Sequence, residues 1–491
     1  MREIKKALVI GAGFSGLASA SYLARSGLDV TVLEKNATEG GRARKFESHG
    51  FVFDMGPSWY WMPEVFEDYF HDFGKETRDY YQLQRLDPGY RMIFEKGEYL
   101  DVPARRDQLY RMFERIEPGS AERLGTFLKR AETKYRIGIG KMVHLPGKSV
   151  LEFLRPGLIG DIMRMDLFSP LSSSVRKVVS DPKLVRLLEF PVLFLGARAE
   201  ETPALYSLMN YADLMLGTWY PMGGMFRVVE GMVRLAESLG VKIIRSCPVT
   251  EIRTRDSMIT EIIAGGRTFQ ADVVVGSADY HFIEQELLPQ SHRVYTKKYW
   301  DSRKMAPSAL LYYLGLNTRV PNLLHHNLFF DEDYMAHAAE IYDHPAWPEK
   351  PAIYVSCTSR TDPSTAPHGM ENLTVLIPVA PGLQDDESIR EKYYQYIMQK
   401  LEKISGKELR SHVIFKRSYA QSDFISDYNA YKGNAYGLAN TLRQTAMLKP
   451  KIRNRKVGNL VYTGQLTVPG PGLPPALISG KLAAGEISRM L

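Results

Sequence analysis

A glycine-rich turn between two short apolar strands is the feature that most constrains the fold of this chain. The run Ala7–Ile10 predicts a buried strand, and it leads directly into Gly-Ala-Gly-Phe-Ser-Gly at positions 11–16. A helix is predicted over Leu17–Arg25, and the β-branched run Leu28–Leu33 predicts a second strand that ends at Glu34. This order of elements, with an acidic residue after the second strand, is typical of a βαβ unit that binds a dinucleotide.

Each residue of this fingerprint has a physical task in such a unit. Gly11 permits the tight turn, Gly13 lets the backbone approach a pyrophosphate, and Gly16 lets the helix pack on the strand. The helix N-terminus offers free N–H groups to the phosphates, and Glu34 can accept hydrogen bonds from a ribose 2′-hydroxyl. The alternative is a glycine-rich turn without a ligand. Strand, spacing, helix and Glu34 together favour dinucleotide binding.

Two further turns favour FAD over a nicotinamide nucleotide. Gly40-Gly41-Arg42 follows the second strand closely, and Asp54-Met55-Gly56-Pro57-Ser58 forms another turn. Arg42 could hold the phosphate on the flavin side, and the backbone of Gly56–Ser58 could pass beside the isoalloxazine ring. Taken alone, Arg42 would more simply form a surface salt bridge. Only one glycine fingerprint follows a strand, so we expect no NAD(P)H site.

Near its C-terminus the chain has another predicted strand, followed by a loop that can approach a ligand. Asn459–Gln465 predicts the strand, and a helix is predicted over Ala476–Met490. The connecting loop at 466–475 is rich in Gly and Pro, so it is stiff and its backbone can come close to a ligand. Upstream, Ala271–Val275 predicts another strand, which is followed by Gly-Ser-Ala-Asp at 276–279.

These pieces together resemble the bacterial-type phytoene desaturases, within the carotenoid desaturase branch of the FAD-dependent amine-oxidase-like superfamily. The matching segments run from end to end of the chain: the N-terminal fingerprint through Gly41-Arg42-Ala43, Phe51–Pro57, Tyr220–Met225 and Asn459–Ala484. The fingerprint is shared by the whole superfamily, whereas the Tyr220–Met225 turn and the C-terminal loop are more specific to this branch. The chain departs from the family at Thr467-Val468-Pro469-Gly470, where the family often has His, and at Gln465-Leu466.

The resemblance implies the fold, the cofactor and the residues that contact it. The implied fold is α/β, with a discontinuous Rossmann-like FAD-binding domain at 1–75, 220–300 and 440–491. An α+β substrate-binding domain at 76–219 and 301–439 is inserted into it. The cofactor is non-covalent FAD, since no cysteine lies near the C-terminal loop. The residues implied to contact FAD are Gly11, Gly13, Gly16, Glu34, Gly41, Arg42, Gly56, Pro57, Ser58, Val249 (through its backbone), Asp279, Gly464, Gln465, Leu473 and Pro474.

The region 142–196 combines apolar patches with basic residues. Such helices can lie in a membrane interface, although an ordinary helical subdomain with a buried face is the simpler alternative. The oily substrate implied by the resemblance favours the membrane, and so does the formal net charge of +7. The sequence contains no stretch of about 18 apolar residues, which a helix that spans a bilayer would need, and no signal-peptide pattern. We therefore expect a cytoplasmic protein, peripherally associated with the inner face of the cell membrane.

The implied reaction is the stepwise dehydrogenation of phytoene, or a related C40 polyene, towards lycopene. One hydrogen would leave as hydride to the flavin and its neighbour as a proton, and oxygen or a quinone would reoxidise the cofactor. Glu152 and Arg155 align with an Asp/Arg pair that the family places near the flavin, but a solvated ion pair is the simpler alternative. His325 and His326 are adjacent rather than at metal spacing, so no metal is expected.

Other functions stay open at this point. A later-pathway carotenoid desaturase, a carotenoid isomerase or an amine oxidase could use the same scaffold. A lipid-carrying escort protein without redox activity is a different class, which the intact fingerprint and Gly41-Arg42 argue against. Cys247 and Cys357 are the only cysteines, which excludes a disulfide framework and Cys-ligated zinc. No motif indicates nucleic-acid binding, and the sequence does not predict an oligomeric state.

Overall fold

The computed structural model describes residues 5–149, 152, 156–167, 169–195, 198–441 and 444–491. Its strands, in chain order, are β1 (Lys6–Ile10), β2 (Asp29–Leu33), β3 (Lys45–Ser48), β4 (Phe51–Asp54), β5 (Leu83–Arg85), β6 (Tyr90–Ile93), β7 (Tyr99–Val102), β8 (Trp219–Pro221), β9 (Lys242–Ile244), β10 (Val249–Arg255), β11 (Met258–Ala264), β12 (Arg267–Phe269), β13 (Val273–Gly276), β14 (Ser308–Leu316), β15 (His326–Phe329), β16 (Ile353–Ser356), β17 (Glu371–Val379), β18 (Val413–Tyr419) and β19 (Leu460–Tyr462).

The α-helices of the same residues are α1 (Phe14–Arg25), α2 (Pro63–His71), α3 (Arg106–Ile116), α4 (Ser120–Gly138), α5 (Pro156–Met163), α6 (Leu171–Arg176), α7 (Pro182–Glu189), α8 (Leu208–Tyr211), α9 (Phe226–Ser238), α10 (Tyr280–Phe282), α11 (Lys297–Asp301), α12 (Tyr334–Tyr342), α13 (Glu387–Ser405), α14 (Gln421–Tyr428) and α15 (Leu473–Ser488). Two π-helical segments, Ala212–Leu216 and Ile283–Leu287, continue α8 and α10.

A five-stranded parallel sheet forms the first layer, in the order β19-β13-β1-β2-β9. In its centre Val9 pairs with Val32 on one side and Val275 on the other, and all three are buried. Such apolar strands need helices on both faces of the sheet. The strands come from three distant parts of the chain, 6–33, 242–276 and 460–462, so the sheet is assembled from separated segments.

A seven-stranded sheet forms the second layer, in the order β18-β14-β17-β16-β15-β6-β7, and is antiparallel except between β15 and β6. Its long strands alternate between two faces. Leu373, Val375 and Ile377 pack in one buried cluster with side chains of α13, while Leu376 and Pro378 face a cavity on the other side. The combination of a parallel and a mixed sheet confirms the expected α/β fold class.

Most predicted elements are present with shifted ends. The first helix was predicted from Leu17 but begins at Phe14, and the C-terminal helix was predicted from Ala476 but begins at Leu473. Both helices therefore start closer to the glycine turns that precede them. The domain boundaries stay a prediction, because the sheets define layers without marking where a domain ends.

The predicted membrane region contains only short helices in its described part. α5, α6 and α7 have eight residues or fewer each. No described helix of this chain is long and apolar enough to cross a bilayer. Peripheral association of the region 142–196 with a membrane stays a prediction.

Helices α1 and α15 cross at very short range, and Gly480 makes this possible. A Cβ atom at Gly480 would lie 2.6 Å from the carbonyl oxygen of Ser15 and 2.9 Å from the amide nitrogen of Ser19. Backbone atoms cannot move aside as the end of a flexible side chain can. The contact therefore fixes the position of α1, whose N-terminus belongs to the glycine turn.

We expect Gly480→Ala to destabilise the protein by about 1–3 kcal/mol, because the added methyl group overpacks the helix crossing. Gly485→Ala is the matched control, since it lies in the same helix and its Cβ would meet no atom within 4 Å. The control should be neutral or stabilising by up to about 1 kcal/mol, because Ala favours helix more than Gly does. Urea unfolding followed by circular dichroism measures both, and equal midpoints would contradict the argument.

Candidate active site

A cavity of about 610 Å³ lies at the carboxyl ends of the parallel strands. Gly11 follows β1, Glu34 follows β2, and the turns after β13 and β19 complete this part of the wall. In open α/β sheets, ligands bind outside the carboxyl ends of the strands. We call this part of the cavity, which contains the glycine fingerprint, the polar half.

The glycine turn has the geometry that its fingerprint predicts. Gly11 adopts φ +100°, which side chains rarely tolerate, and its amide donates to the carbonyl oxygen of Leu33 at 2.8 Å. A Cβ at Gly16 would lie 2.1 Å from the Gly11 carbonyl oxygen, so only glycine lets α1 pack there. A Cβ at Gly13 would meet no atom within 4 Å and would project into open space at the start of α1.

Glu34 presents a buried carboxylate to the polar half and is only 4% exposed. Its Oε2 accepts the amide of Ala12, and its Oε1 accepts the amide of Asn36, each at 2.8 Å. These two bonds hold the carboxylate in place and compensate its burial. Oε1 also accepts Asn36 Nδ2 at 3.1 Å, so Oε2 is the oxygen that keeps a further lone pair, which a ligand hydroxyl could use.

Arg42 and Asp279 supply opposite charges to the same wall. The Arg42 Nη2 donates to the carbonyl oxygen of Asn434 at 3.0 Å, while its buried Nε has no hydrogen-bond partner among the described residues. Burial lowers the pKa of Arg42, and Asp279 opposes that shift. Burial likewise raises the pKa of Asp279, against the effect of Arg42. A phosphate at this wall would compensate the buried cation.

The C-terminal loop closes the polar half from the other side. Gly464 adopts φ +106°, and its amide donates to Ser479 Oγ at 3.0 Å. Gln465 Nε2 donates to Asn434 Oδ1 at 2.7 Å, which links this loop to the residue that holds Arg42. Leu473 and Pro474 begin α15 at the cavity wall.

All residues predicted to contact the cofactor, except Gly16, line this one cavity. Gly16 lies behind Gly11, where it serves packing. Gly56 lines the cavity, and a side chain is excluded there because a Cβ would lie 2.3 Å from the Arg42 carbonyl oxygen. Val249 lines the cavity at the start of β10. The direct contact of these residues with a cofactor stays a prediction.

The rest of the cavity, which we call the apolar half, is lined by one face of the seven-stranded sheet and by the residues above it. Leu311, Leu376, Tyr354 and Leu328 are successive cross-strand neighbours on β14, β17, β16 and β15. The other residues assigned to this half are Trp59, Trp61, Met62, Phe190, Met209, Phe330, Tyr334, His337, Ile341, Tyr342, Ala352, Pro378 and Tyr436.

Sequence reasoning missed the apolar half, because its residues are scattered from Trp59 to Tyr436. Period-two alternation marks single strands but does not tell which strands are neighbours. The alternation within β17, where Leu376 and Pro378 share one face, was the one available signal.

Of the predicted pair Glu152 and Arg155, which would handle the proton of the reaction, the structure describes only Glu152. Glu152 does not line the cavity, and its carboxylate accepts the amide of Lys148 at 3.2 Å. Arg155 lies outside the described residues. The role of this pair stays a prediction.

The model of the flavin containing amine oxidoreductase family matches residues 14–488. The chain belongs to this family. Within it, the chain is 43% identical to a carotenoid 3,4-desaturase of Haloarcula japonica over 97% of this chain and 96% of the relative. It is 32% identical to a zeta-carotene-forming phytoene desaturase of Myxococcus xanthus, over 98% and 94%. These relatives confirm the predicted resemblance to carotenoid desaturases.

A solved structure of low sequence identity shares the fold. A cyclohexylamine oxidase from Brevibacterium oxydans matches with a TM-score of 0.60 at 16% identity, over 99% of both chains. The family and the two relatives confirm that the chain is an FAD-dependent oxidoreductase, as expected.

The polar half fits FAD on three observations. Gly13 leaves room for a close approach at the start of α1, Oε2 of Glu34 keeps a free lone pair, and the buried Arg42 Nε lacks a partner among the described residues. Cys247 and Cys357 are free and buried, and neither lines the cavity. Neither cysteine is placed for a covalent link, so the arrangement fits the non-covalent FAD of the sequence prediction.

We expect Gly13→Val to fold but to bind FAD more weakly. Gly13 has φ −76°, which any residue adopts, and its Cβ meets no protein atom within 4 Å. The side chain would instead fill the space for the pyrophosphate, and overpacking of about 1–3 kcal/mol weakens binding roughly 10- to 100-fold. Flavin fluorescence titration of the purified variant measures the affinity.

Gly16→Val is the contrasting variant, because its Cβ would lie 2.1 Å from the Gly11 carbonyl oxygen. It should fail to fold, whereas Gly13→Val should keep the wild-type circular dichroism spectrum. Undiminished flavin affinity in Gly13→Val would contradict the assignment of the polar half.

Proposed function

We propose that this enzyme desaturates a carotenoid, converting a CH–CH single bond of the polyene into a double bond. The observation that carries the proposal is the continuity of one cavity from the glycine fingerprint to a wall of aromatic and aliphatic side chains. FAD, when bound in the polar half, supplies the acceptor for a hydride. A hydrocarbon in the apolar half would then lie beside it.

The apolar half suits a hydrocarbon better than an amine. None of its described residues is acidic, so a cationic amine would be buried there without a counter-charge. His337 is occupied by the backbone, because its Nδ1 accepts the amide of Ala352 at 3.1 Å and its Nε2 lies 2.8 Å from the Pro378 carbonyl oxygen. Burial lowers the pKa of His337 to about 4, so it is neutral.

The residues of the apolar half orient the polyene and exclude water. One wall of the apolar half is a row of side chains across four strands, formed by Leu311, Leu376, Tyr354 and Leu328. Trp59 and Trp61, whose ring centroids are 5.2 Å apart, cover part of it. A long apolar chain between these surfaces is desolvated along its length, which favours binding by about 25 cal/mol per Å² of buried apolar area.

We propose the 3,4 bond of a carotenoid as the position of desaturation, because the identity to the Haloarcula japonica 3,4-desaturase is 43%. The dehydrogenation of phytoene towards lycopene is the second candidate, supported by 32% identity to the Myxococcus xanthus enzyme. In both cases, oxygen or a quinone reoxidises the cofactor.

Expression in two carotenoid-producing hosts tests this function, one that accumulates phytoene and one that accumulates lycopene. We expect the lycopene host to form a pigment that has lost two hydrogens per new double bond and absorbs at longer wavelength, while phytoene stays unchanged. Absorption spectra and mass spectra of the extracts measure this. Coloured products from phytoene would establish the second candidate, and unchanged pigments in both hosts would overturn the proposal.

We further propose that the enzyme docks peripherally on the inner face of the cell membrane, where a carotenoid resides. Ile159 on α5 is 44% exposed and Leu448 is 50% exposed. Lys141 pairs with Asp161 of α5 at 2.7 Å, and Lys451 donates to the carbonyl oxygens of Gly147 and Met447, each at 2.6 Å. Ile159 therefore lies two residues from a contact with the segment 141–149, and Leu448 lies three residues from another; this segment overlaps the predicted region 142–196.

We expect the double variant Ile159→Ser/Leu448→Ser to bind phosphatidylserine vesicles roughly tenfold more weakly than wild type, because two apolar side chains no longer enter the interface. Ile425→Ser is the matched control, since Ile425 is 51% exposed on α14, outside the predicted region. Vesicle flotation at low salt measures binding. The proposed membrane docking would be contradicted if the wild-type protein did not bind anionic vesicles, or if the double variant bound them as well as the control does.

A further inference from the structure

A chain of hydrogen bonds leads from the cavity wall to a buried imidazole. Ser58 and Tyr354 line the cavity, and their hydroxyl oxygens are 2.8 Å apart. The Tyr354 hydroxyl lies 2.6 Å from Nδ1 of His326. Because each hydroxyl can donate one hydrogen bond and accept another, the three groups can pass a proton from the cavity wall to the imidazole.

His326 is completely buried, with an exposed fraction of 0%. The ring of Trp59 stacks on it at 4.2 Å between centroids with a 9° interplanar angle, and Trp59 itself lines the cavity. The His326 Nε2 has no hydrogen-bond partner among the described residues. Burial lowers the pKa of His326 well below its ordinary value, and the neighbouring His325 adds to this, so the imidazole is neutral. In the tautomer that carries its hydrogen on Nε2, Nδ1 keeps the lone pair that can accept a proton from Tyr354.

The adjacent His325 makes no such connection. Its Nδ1 contacts the Thr361 hydroxyl at 2.7 Å, and neither residue lines the cavity. His337 lines the cavity, but backbone groups occupy both of its ring nitrogens. Among these three histidines, His326 is the one that reaches the cavity through hydroxyl groups.

We propose that Ser58, Tyr354 and His326 form a relay that removes the proton during desaturation; this inference rests on the proposed function. One substrate C–H bond gives its hydrogen and electron pair to FAD as hydride. The neighbouring C–H bond gives its proton to Ser58 Oγ, while its electron pair becomes the new π bond. Ser58 passes its own proton to Tyr354, and the Tyr354 proton moves to Nδ1 of His326, which becomes an imidazolium.

A weak base is sufficient for this step. Loss of hydride leaves positive charge on the substrate, and a C–H bond beside a carbocation is strongly acidic. The base does need to be unprotonated before the reaction. Burial keeps His326 in this state, because it disfavours the charged imidazolium. In this scheme Ser58 contacts the substrate directly, whereas Tyr354 and His326 act through Ser58.

The decisive variant is His326→Asn, because the Asn amide can keep the hydrogen bond to Tyr354 but cannot take up a proton. We expect kcat to fall about 100-fold or more with KM nearly unchanged, in both His326→Asn and Tyr354→Phe. His325→Asn is the matched control for the neighbouring imidazole, because it leaves the burial of His326, the larger cause of its lowered pKa, unchanged. Tyr393→Phe is the control for a lost tyrosine hydroxyl. Tyr393 lies on α13, donates its hydroxyl to the carbonyl oxygen of Pro348 at 2.6 Å, and does not line the cavity.

Both controls should keep kcat within about threefold of wild type, and a His326→Asn enzyme that does the same would overturn the relay. Nitrogen NMR of the ¹⁵N-histidine-labelled holoenzyme gives an independent readout. The His326 Nδ1 resonance should shift in Tyr354→Phe and in Ser58→Ala, and an unchanged resonance in both variants would also overturn it. Wild-type enzyme without carotenoid turnover would overturn the proposed function, while the NMR measurement would still decide whether the three groups share a proton.

Discussion

The close approach of glycine backbones at the carboxyl ends of the parallel strands is the constraint on which the site depends. Gly16 brings α1 against the turn at Gly11, and Gly480 brings α15 against α1. Both contacts join backbone to backbone, so they leave little freedom to the helix ends. The N-termini of α1 and α15 consequently meet at one cavity, although they are separated by most of the chain.

This convergence divides the cavity by polarity. The strand ends and helix N-termini supply N–H groups, and Glu34, Arg42 and Asp279 supply charges, all on the same side. The seven-stranded sheet supplies only side chains, because its backbone groups are paired with one another along the ladders. A ligand with a charged nucleotide and an apolar reaction partner can therefore be held with little mismatch, and water has few groups to bind in the apolar half.

From spacing alone the sequence could predict the part of the polar half that lies in the glycine fingerprint, because its geometry is local, whereas Val249, Asp279 and Gly464 were implied only by the family resemblance. Gly11, Gly13 and Glu34 lie within one βαβ unit, and the spacing alone sets their relative positions. The apolar half depends on register between distant strands. Leu328, Tyr354 and Leu376 face each other only because β15, β16 and β17 are neighbours in the sheet. No local pattern in the chain specifies that order, so this wall of the apolar half was not predictable.

The histidine pair shows how strand register changes the meaning of a sequence feature. In the sequence, His325 and His326 are adjacent, which is not the spacing of metal ligands, and no other role was indicated. The described residues contain no cluster that could hold a metal ion. In β15, however, His326 and Leu328 lie two residues apart and so face the same side of the sheet, which is the cavity side. Tyr354 pairs directly with Leu328, so its hydroxyl extends beside the His326 ring. Alternation along the strand therefore aligns an ionisable group with an apolar wall, and Trp59 separates that group from the cavity without breaking its hydrogen-bonded path.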